Sequence, residues 1–97
     1  MLDFTEILDW MDSRAAILSG DGIEVEVIRS PISDNPSVRM DTTTNETIGR
    51  ITGWANGEFF FEVVRVSDEV DLIQEFVSAR TLADVEAAYA GFQKALT

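Results

Sequence analysis

Closely spaced carboxylates are the residues of this chain that come nearest to a catalytic pattern. They occur in three groups: Glu24 with Glu26, Glu58 with Glu62, and Asp68 with Glu69 and Asp71. A glycosidase uses two carboxyl groups as acid and base, which requires a cleft, a fixed separation and one desolvated group. Alternating positions on an open sheet supply neither cleft nor desolvation. We therefore expect solvated acidic side chains and no enzyme.

Other site chemistries have little support in the composition. The chain has no Cys and no His, which excludes disulfides and thiolate catalysis and removes the usual metal ligand and general base. Asp21-Gly22 with Glu24 is the nearest approach to a calcium cluster, but it lacks the spacing of a twelve-residue loop. No glycine-rich stretch precedes a predicted helix, as phosphate binding would require. We expect no metal, no cofactor and no catalytic residue.

The charge balance favours a protein partner. There are 18 acidic and 7 basic residues, and the formal net charge is -11. Nucleic acids and anionic membranes are disfavoured because both attract Lys and Arg. A strongly acidic surface attracts and steers a basic protein. The simpler alternative is that the acidity only confers solubility.

Length and hydropathy predict one domain over residues 1–97. A chain of 97 residues with 45% hydrophobic residues can bury a core without disulfides. The N-terminal residues lack the basic and apolar regions of a signal peptide, and no apolar run reaches transmembrane length. We expect a cytoplasmic protein.

The stretch from Glu46 to Val66 is predicted to form a β-hairpin, because runs of β-branched and aromatic residues flank Asn56-Gly57. A two-residue turn would place Arg50 on the apolar face. A three-residue turn, with Gly57 left-handed in a bulge, pairs Arg50 with Glu62 instead. The second register is favoured, since such a cross-strand pair contributes roughly 0.2 to 1 kcal/mol, whereas an unpartnered buried Arg costs several kcal/mol.

This register divides the hairpin into two faces. The apolar face holds Ile51, Phe59, Phe61 and Val63, and the reverse face displays aromatic and acidic side chains. Aromatic anchors within a charged surround are favoured at protein interfaces. The expected partner-binding residues are Trp54, Phe60, Glu58, Glu62, Glu24, Glu26 and Glu75. The alternative is that Trp54 and Phe60 cover each other or lie under the proline-containing loop at 31–36.

The remaining elements predict an α+β fold. A capped helix runs from Asp3 to Leu18 and is stopped by Gly20, with strands following at 23–29 and 37–41. The helix carries an apolar stripe of Phe4, Leu8, Met11, Ala15 and Leu18, with Trp10 and Ile17 at its boundary. A fifth strand at 70–77 leaves open whether Leu72 and Phe76 or Ile73, Glu75 and Val77 face inward. A second helix follows Thr81. We expect a two-layer domain in which both helices cover one face of a five-stranded antiparallel meander.

Several short runs resemble the TriTu-type immunity proteins of bacterial polymorphic-toxin and contact-dependent competition systems. They are Pro36-Ser37-Val38-Arg39-Met40-Asp41, Ile48-Gly49-Arg50-Ile51-Thr52-Gly53-Trp54, Gly57-Glu58, Glu62-Val63 and the helix beginning at Thr81. The similarity spans most of the chain, although Gly53 stands where a bulky strand residue is expected. The resemblance implies a cytoplasmic protein that binds and neutralises a cognate toxin domain, and it transfers no catalytic residue.

Two functions remain open at this point. The acidic balance is compatible with a basic toxin such as a nuclease, because carboxylates can imitate phosphates. The alternative is an acidic secretion or effector chaperone that binds an extended segment of its partner along a sheet edge or apolar groove.

Overall fold

The protein is described here from a computed structural model, in which residues 2–30 and 34–96 are described. The elements follow in the order α1 (Phe4–Gly20), β1 (Glu24–Ser30), β2 (Ser37–Thr43), β3 (Thr47–Trp54), β4 (Glu58–Arg65), β5 (Val70–Ser78) and α2 (Leu82–Leu96). The predicted α+β order is confirmed, and strand ends differ from the prediction by one or two residues. Half of the predicted loop at 31–36 lies outside the described residues.

The five strands form one antiparallel sheet in the sequential order β1-β2-β3-β4-β5. Both helices pack on the same side: α1 contacts β1 to β3, and α2 contacts β3 to β5. Trp10 of α1 lies edge-on to Phe59 with ring centroids 6.0 Å apart, and Phe92 of α2 meets Phe61 at 6.2 Å. We call the covered side of the sheet the helix side and the other side the open face.

The central hairpin adopts the three-residue register. Arg50 pairs with Glu62 and Ile51 with Phe61 across β3 and β4. Gly57 has a φ of 93°, and its N–H donates to the Trp54 carbonyl at 2.9 Å. The four residues predicted for the core face, Ile51, Phe59, Phe61 and Val63, are all fully buried. The register prediction is therefore confirmed, together with the faces that depend on it.

The ends of α1 are fixed by two local motifs. The Asp3 carboxylate accepts from the Glu6 N–H at 2.9 Å, and the Glu6 side chain accepts from the Asp3 N–H, which completes the predicted capping box. The predicted stop at Gly20 is wrong by two residues. Gly20 is the last helical residue, whereas Gly22 adopts the left-handed conformation with a φ of 84°. The Ile23 N–H donates to the Leu18 carbonyl, as in a Schellman motif.

The buried stripe of α1 is rotated relative to the predicted one. Trp10, predicted at the boundary, is 4% exposed, whereas Ile17, assigned the same role, is 48% exposed. Ile7 is fully buried, while Phe4 and Leu8 pack at the margin of the core. Spacing alone does not fix the phase of the stripe, because side chains of α2 decide which flank of α1 is covered.

A polar cluster joins the two helices at that flank. The indole N–H of Trp10 donates to Glu86 Oε1 at 2.7 Å, and Arg14 also pairs with this oxygen. The Arg14 guanidinium lies over the rings of Trp10 and Tyr89, at 5.7 and 5.3 Å from their centroids. Burial acts to raise the pKa of Glu86, but the hydrogen bonds from Arg14 and Trp10 outweigh it and lower that pKa.

The close fit of Gly53 explains why no bulky residue stands there. A Cβ on Gly53 would lie 2.8 Å from Phe59 Cε2 and 3.0 Å from Ile7 Cγ2. Phe59 and Ile7 are fully buried, so neither can move aside freely. The absent side chain gives the Phe59 ring its place between the sheet and α1.

Gly53→Ala is expected to lower the free energy of unfolding by about 1–3 kcal/mol, because the added methyl group overpacks the core. Urea denaturation of the two proteins measures this. The matched control is Gly91→Ala, which adds the same methyl group inside α2 where no atom lies within 4 Å. This control should gain about 0.5–1 kcal/mol from helix propensity. Equal effects of the two substitutions would contradict the proposed fit.

Glu86→Gln is expected to reduce stability most at neutral pH. Because folding lowers the pKa of Glu86, its ionisation stabilises the native state above its ordinary pKa of 4.5, and this contribution is lost as the pH falls through the native pKa. Denaturation midpoints at pH 7 and pH 3 should show the gap between the two proteins narrowing in acid. Glu24→Gln, which alters an exposed carboxyl without an ion pair to any described residue, should leave the gap unchanged. A gap of constant size for Glu86→Gln would refute the assignment.

Candidate functional site

The open face is an uncovered sheet surface whose residues form rows across the strands. Two adjacent rows are rich in carboxylates, and we call them the acidic end. From β1 to β5 these rows contain Glu24, Thr43, Ile48, Val64 and Asp71, and then Glu26, Asp41, Arg50, Glu62 and Gln74. Five carboxylates thus accompany one guanidinium at this end of the face.

The other end of the open face is aromatic. Phe60 and Phe76 are direct cross-strand partners on β4 and β5, and Trp54 lies at the end of β3 beside the hairpin turn. We call these three residues the aromatic end. Trp54 and Phe60 are half-buried, whereas Phe76 is 58% exposed. The expected mixture of aromatic and acidic residues is therefore largely resolved into two neighbouring regions.

Asp41 controls the charge balance of the acidic end. Arg50 Nε donates to Asp41 Oδ1 at 2.7 Å, and Arg39 Nε lies 3.4 Å from Asp41 Oδ2. The hydrogen bond to Asp41 raises the pKa of Arg50 against the opposing effect of partial burial. Sequence reasoning paired Arg50 with Glu62, and the register is as predicted, but the guanidinium bonds to the carboxylate on the other neighbouring strand.

One carboxylate thus serves both arginines, and the other acids are left without cations. Within residues 2–30 and 34–96, no ion pair involves Glu24, Glu26 or Glu62. Glu26 and Glu62 line an open depression of about 380 Å³ with the Asp41–Arg50 pair between them. This depression presents carboxylate oxygens to solvent and to any cation of a binding partner.

Most of the predicted partner-binding residues lie together on the open face. Glu58 stands at the turn, where its carboxylate accepts from the Asn56 side chain and its N–H donates to Asn56 Oδ1 at 3.1 Å. Glu75 is the exception and its predicted placement is wrong. It pairs with the buried Phe61, so its side chain lies on the helix side, where Ile73 and Val77 of the same strand pack against the core.

Phe76 is the residue that sequence reasoning missed. Its position opposite Phe60 could have been found only by settling which side of the fifth strand faces inward. A β-bulge between Val63 and Val64 shifts the register of β5, so that Val64 pairs with Asp71 rather than Leu72. The shift breaks the simple alternation on which that decision depends.

The described residues show neither a metal site nor a membrane span. Within residues 2–30 and 34–96, no group of three or more His, Cys, Asp or Glu side chains is arranged to hold a metal ion. In the same ranges no helix combines the length and apolar character needed to cross a bilayer. The geometry is that of a binding surface: an aromatic end, an acidic end and a depression open to solvent.

A sequence profile described as "Immunity protein TriTu" matches residues 5–95, from the first turn of α1 to the last turn of α2. The chain belongs to the TriTu immunity protein family. The match confirms the resemblance carried by the strand motifs and extends it over nearly the whole fold. A comparison with curated proteins gives no match. Immunity proteins act on toxins, so family membership points to a toxin as the partner of this TriTu protein.

Two single-tryptophan proteins test the exposure of the aromatic end. The chain has two Trp residues, and the buried Trp10 contrasts with the half-buried Trp54. In the Trp10→Phe protein, Trp54 emission should be red-shifted and strongly quenched by acrylamide. In the Trp54→Phe protein, Trp10 should emit at shorter wavelength and resist quenching. If Trp54 is as protected as Trp10 in the native state, the neighbouring loop covers it and the aromatic end is not available to a partner.

Proposed function

We propose that this protein neutralises a cognate toxin domain by stoichiometric binding through the open face, without catalysing a reaction. Family membership supports the toxin as partner. The observation that carries the choice of surface is the open face itself, a whole sheet side that neither helix covers. An uncovered face with half-buried aromatic side chains and unpaired carboxylates offers both apolar area and charge to a partner.

The proposed partner is a basic toxin domain, such as a nuclease. Glu24, Glu26 and Glu62 point from three strands toward solvent without cations of their own, and the net charge of -11 adds a long-range field. Such a field raises the rate of encounter with a basic surface. Carboxylates spaced across a sheet could occupy the phosphate positions of a nuclease groove. Inhibition of such a toxin would take place in the cytoplasm of the producing cell or its siblings, as contact-dependent competition requires.

Aromatic anchors and acids contribute differently to the proposed complex. Trp54 and Phe60 provide area that is desolvated on binding, which mainly slows dissociation. Glu58, Glu62, Glu24 and Glu26 provide steering and pairing with basic side chains, which mainly speeds association. The two groups of residues should therefore affect different rate constants.

The proposed partner for the experiment is the C-terminal domain of the secreted protein encoded by the upstream neighbouring gene. Trp54→Ala is expected to raise the Kd at least about 30-fold, as a hot-spot loss of ~2 kcal/mol implies. Glu62→Lys is expected to slow association, and this rate should fall further as salt is raised. Stopped-flow binding at several salt concentrations measures both effects.

The matched control is Asp9→Lys, which makes the same charge change on the exposed surface of α1. If Asp9→Lys and Glu62→Lys slow association equally, only the overall charge matters and the open face is not the interface. An association rate insensitive to salt would remove the electrostatic part of the proposal. Full protection of cells carrying the Trp54→Ala and Glu62→Lys proteins would show that the interface lies elsewhere.

The chaperone alternative predicts a different binding partner. A chaperone binds an unfolded or extended segment and leaves the folded enzyme active, whereas an immunity protein inhibits the folded toxin domain. The family match favours the inhibitor. Activity of the folded toxin domain, titrated with this protein to a 1:1 endpoint, distinguishes the two functions.

A further inference from the structure

Exposed apolar side chains are concentrated along one edge of the sheet. Large hydrophobic residues that are at least 36% exposed number six among the described residues, and four of these lie within residues 66–76: Val66, Val70, Leu72 and Phe76. This segment comprises the last turn of the meander and most of β5. β5 pairs with β4 on one side, and no described strand pairs with its other side. The apolar side chains therefore flank an unpaired strand edge.

This edge is guarded by acids rather than by basic residues or proline. Natural edge strands avoid unwanted pairing through Lys, Pro, bulges or short length. β5 has nine residues, and the segment 66–79 contains no Lys, Arg or Pro. It carries instead one bulge opposite β4 and four carboxylates, those of Asp68, Glu69, Asp71 and Glu75.

An acidic guard selects among incoming strands by charge. A second copy of this chain would bring the same four carboxylates and another net charge of -11, so pairing between copies is repelled. A strand rich in Lys and Arg would instead meet opposite charges along the edge. The guard thus disfavours self-association and favours a basic segment.

The other edge of the sheet lacks these properties. On β1 the apolar residues Val25, Val27 and Ile28 are half-buried. Arg29 Nη2 pairs with Asp12 Oδ2 of α1 at 2.9 Å, which ties the end of the strand to the helix. None of the large exposed hydrophobic residues in the described ranges belongs to β1. The observations therefore single out β5.

We infer that the free edge of β5 accepts a basic extended segment of the toxin domain as a sixth strand. The partner's identity rests on the proposed function, whereas the edge rests on exposure and charge. Main-chain hydrogen bonds would supply the pairing. Alternate side chains of the incoming strand meet Phe76 on the open face and Glu75 on the helix side. Because Phe76 adjoins Phe60, the edge and the aromatic end form one continuous interface.

Amide hydrogen exchange of the complex with the toxin domain tests the inference. In the free protein, those β5 amides that point away from β4 should exchange rapidly. A sixth strand should slow them at least about tenfold, as a loss of ~1.4 kcal/mol of opening free energy corresponds to a factor of ten. Amides of β1 should be unchanged. A complex that forms without slowing of β5 exchange overturns the inference and leaves the proposed function intact.

A synthetic peptide provides an arm that does not depend on the toxin. An octapeptide of alternating Lys and Val should shift the amide resonances of β5 and not those of β1, and the matched peptide of alternating Glu and Val should shift neither. If the toxin domain does not bind at all, the proposed function fails and these peptides decide the edge alone. Shifts confined to the acidic end, or equal shifts from both peptides, would overturn the inference.

Discussion

The left-handed turn at Gly57 is the constraint on which the rest of the structure depends. Its φ of 93° closes a three-residue loop, and this loop length determines which side chains of β3 and β4 face the helices. A Cβ at this position would lie 2.7 Å from the Ala79 carbonyl oxygen, and the Ala79 N–H donates to the Gly57 carbonyl at 2.9 Å. The turn therefore also fixes the chain between β5 and α2.

A one-residue slip at this turn would exchange the two faces of the hairpin. Phe59 and Phe61 would leave the core, and Arg50 would enter it without Asp41 beside it. The cost would be the burial of several large apolar side chains, each contributing about 1.5–3 kcal/mol, together with an unpaired buried charge. The same constraint leaves Phe60 and Glu62 outside the core. The residues available to a partner are thus a consequence of the register that builds the core.

Sequence reasoning succeeded where structure is determined locally. The capping box at Asp3 and Glu6, the hairpin register and the inward residues of β3 and β4 follow from short-range chemistry. It failed where distant elements decide. The partner of Arg50 is Asp41 because β2 supplies a nearer carboxylate than β4 does, and the burial of Trp10 depends on Glu86 and Tyr89 of α2. Neither neighbour is visible in the spacing of a single element.

The fifth strand combines both difficulties. It follows a turn in which Glu69 is left-handed with a φ of 59°, and a bulge then shifts its register. Alternation along the sequence therefore does not say which side of β5 is inside, and Glu75 was placed on the wrong side for this reason. Phe76 became the most exposed of the large hydrophobic side chains by the same shift.

Uneven charge pairing explains how one surface can repel its own copies and still attract a partner. Arg39 and Arg50 both approach Asp41, so the basic residues of the open face are largely neutralised within the fold. The remaining carboxylates stand on a rigid sheet at fixed separations, and their positions are set before any partner arrives. Holding like charges close together destabilises the native state, and the fully buried aromatic core offsets that repulsion. A basic partner relieves the same repulsion on binding, so the free energy that the isolated fold loses to crowded acids becomes available to the complex.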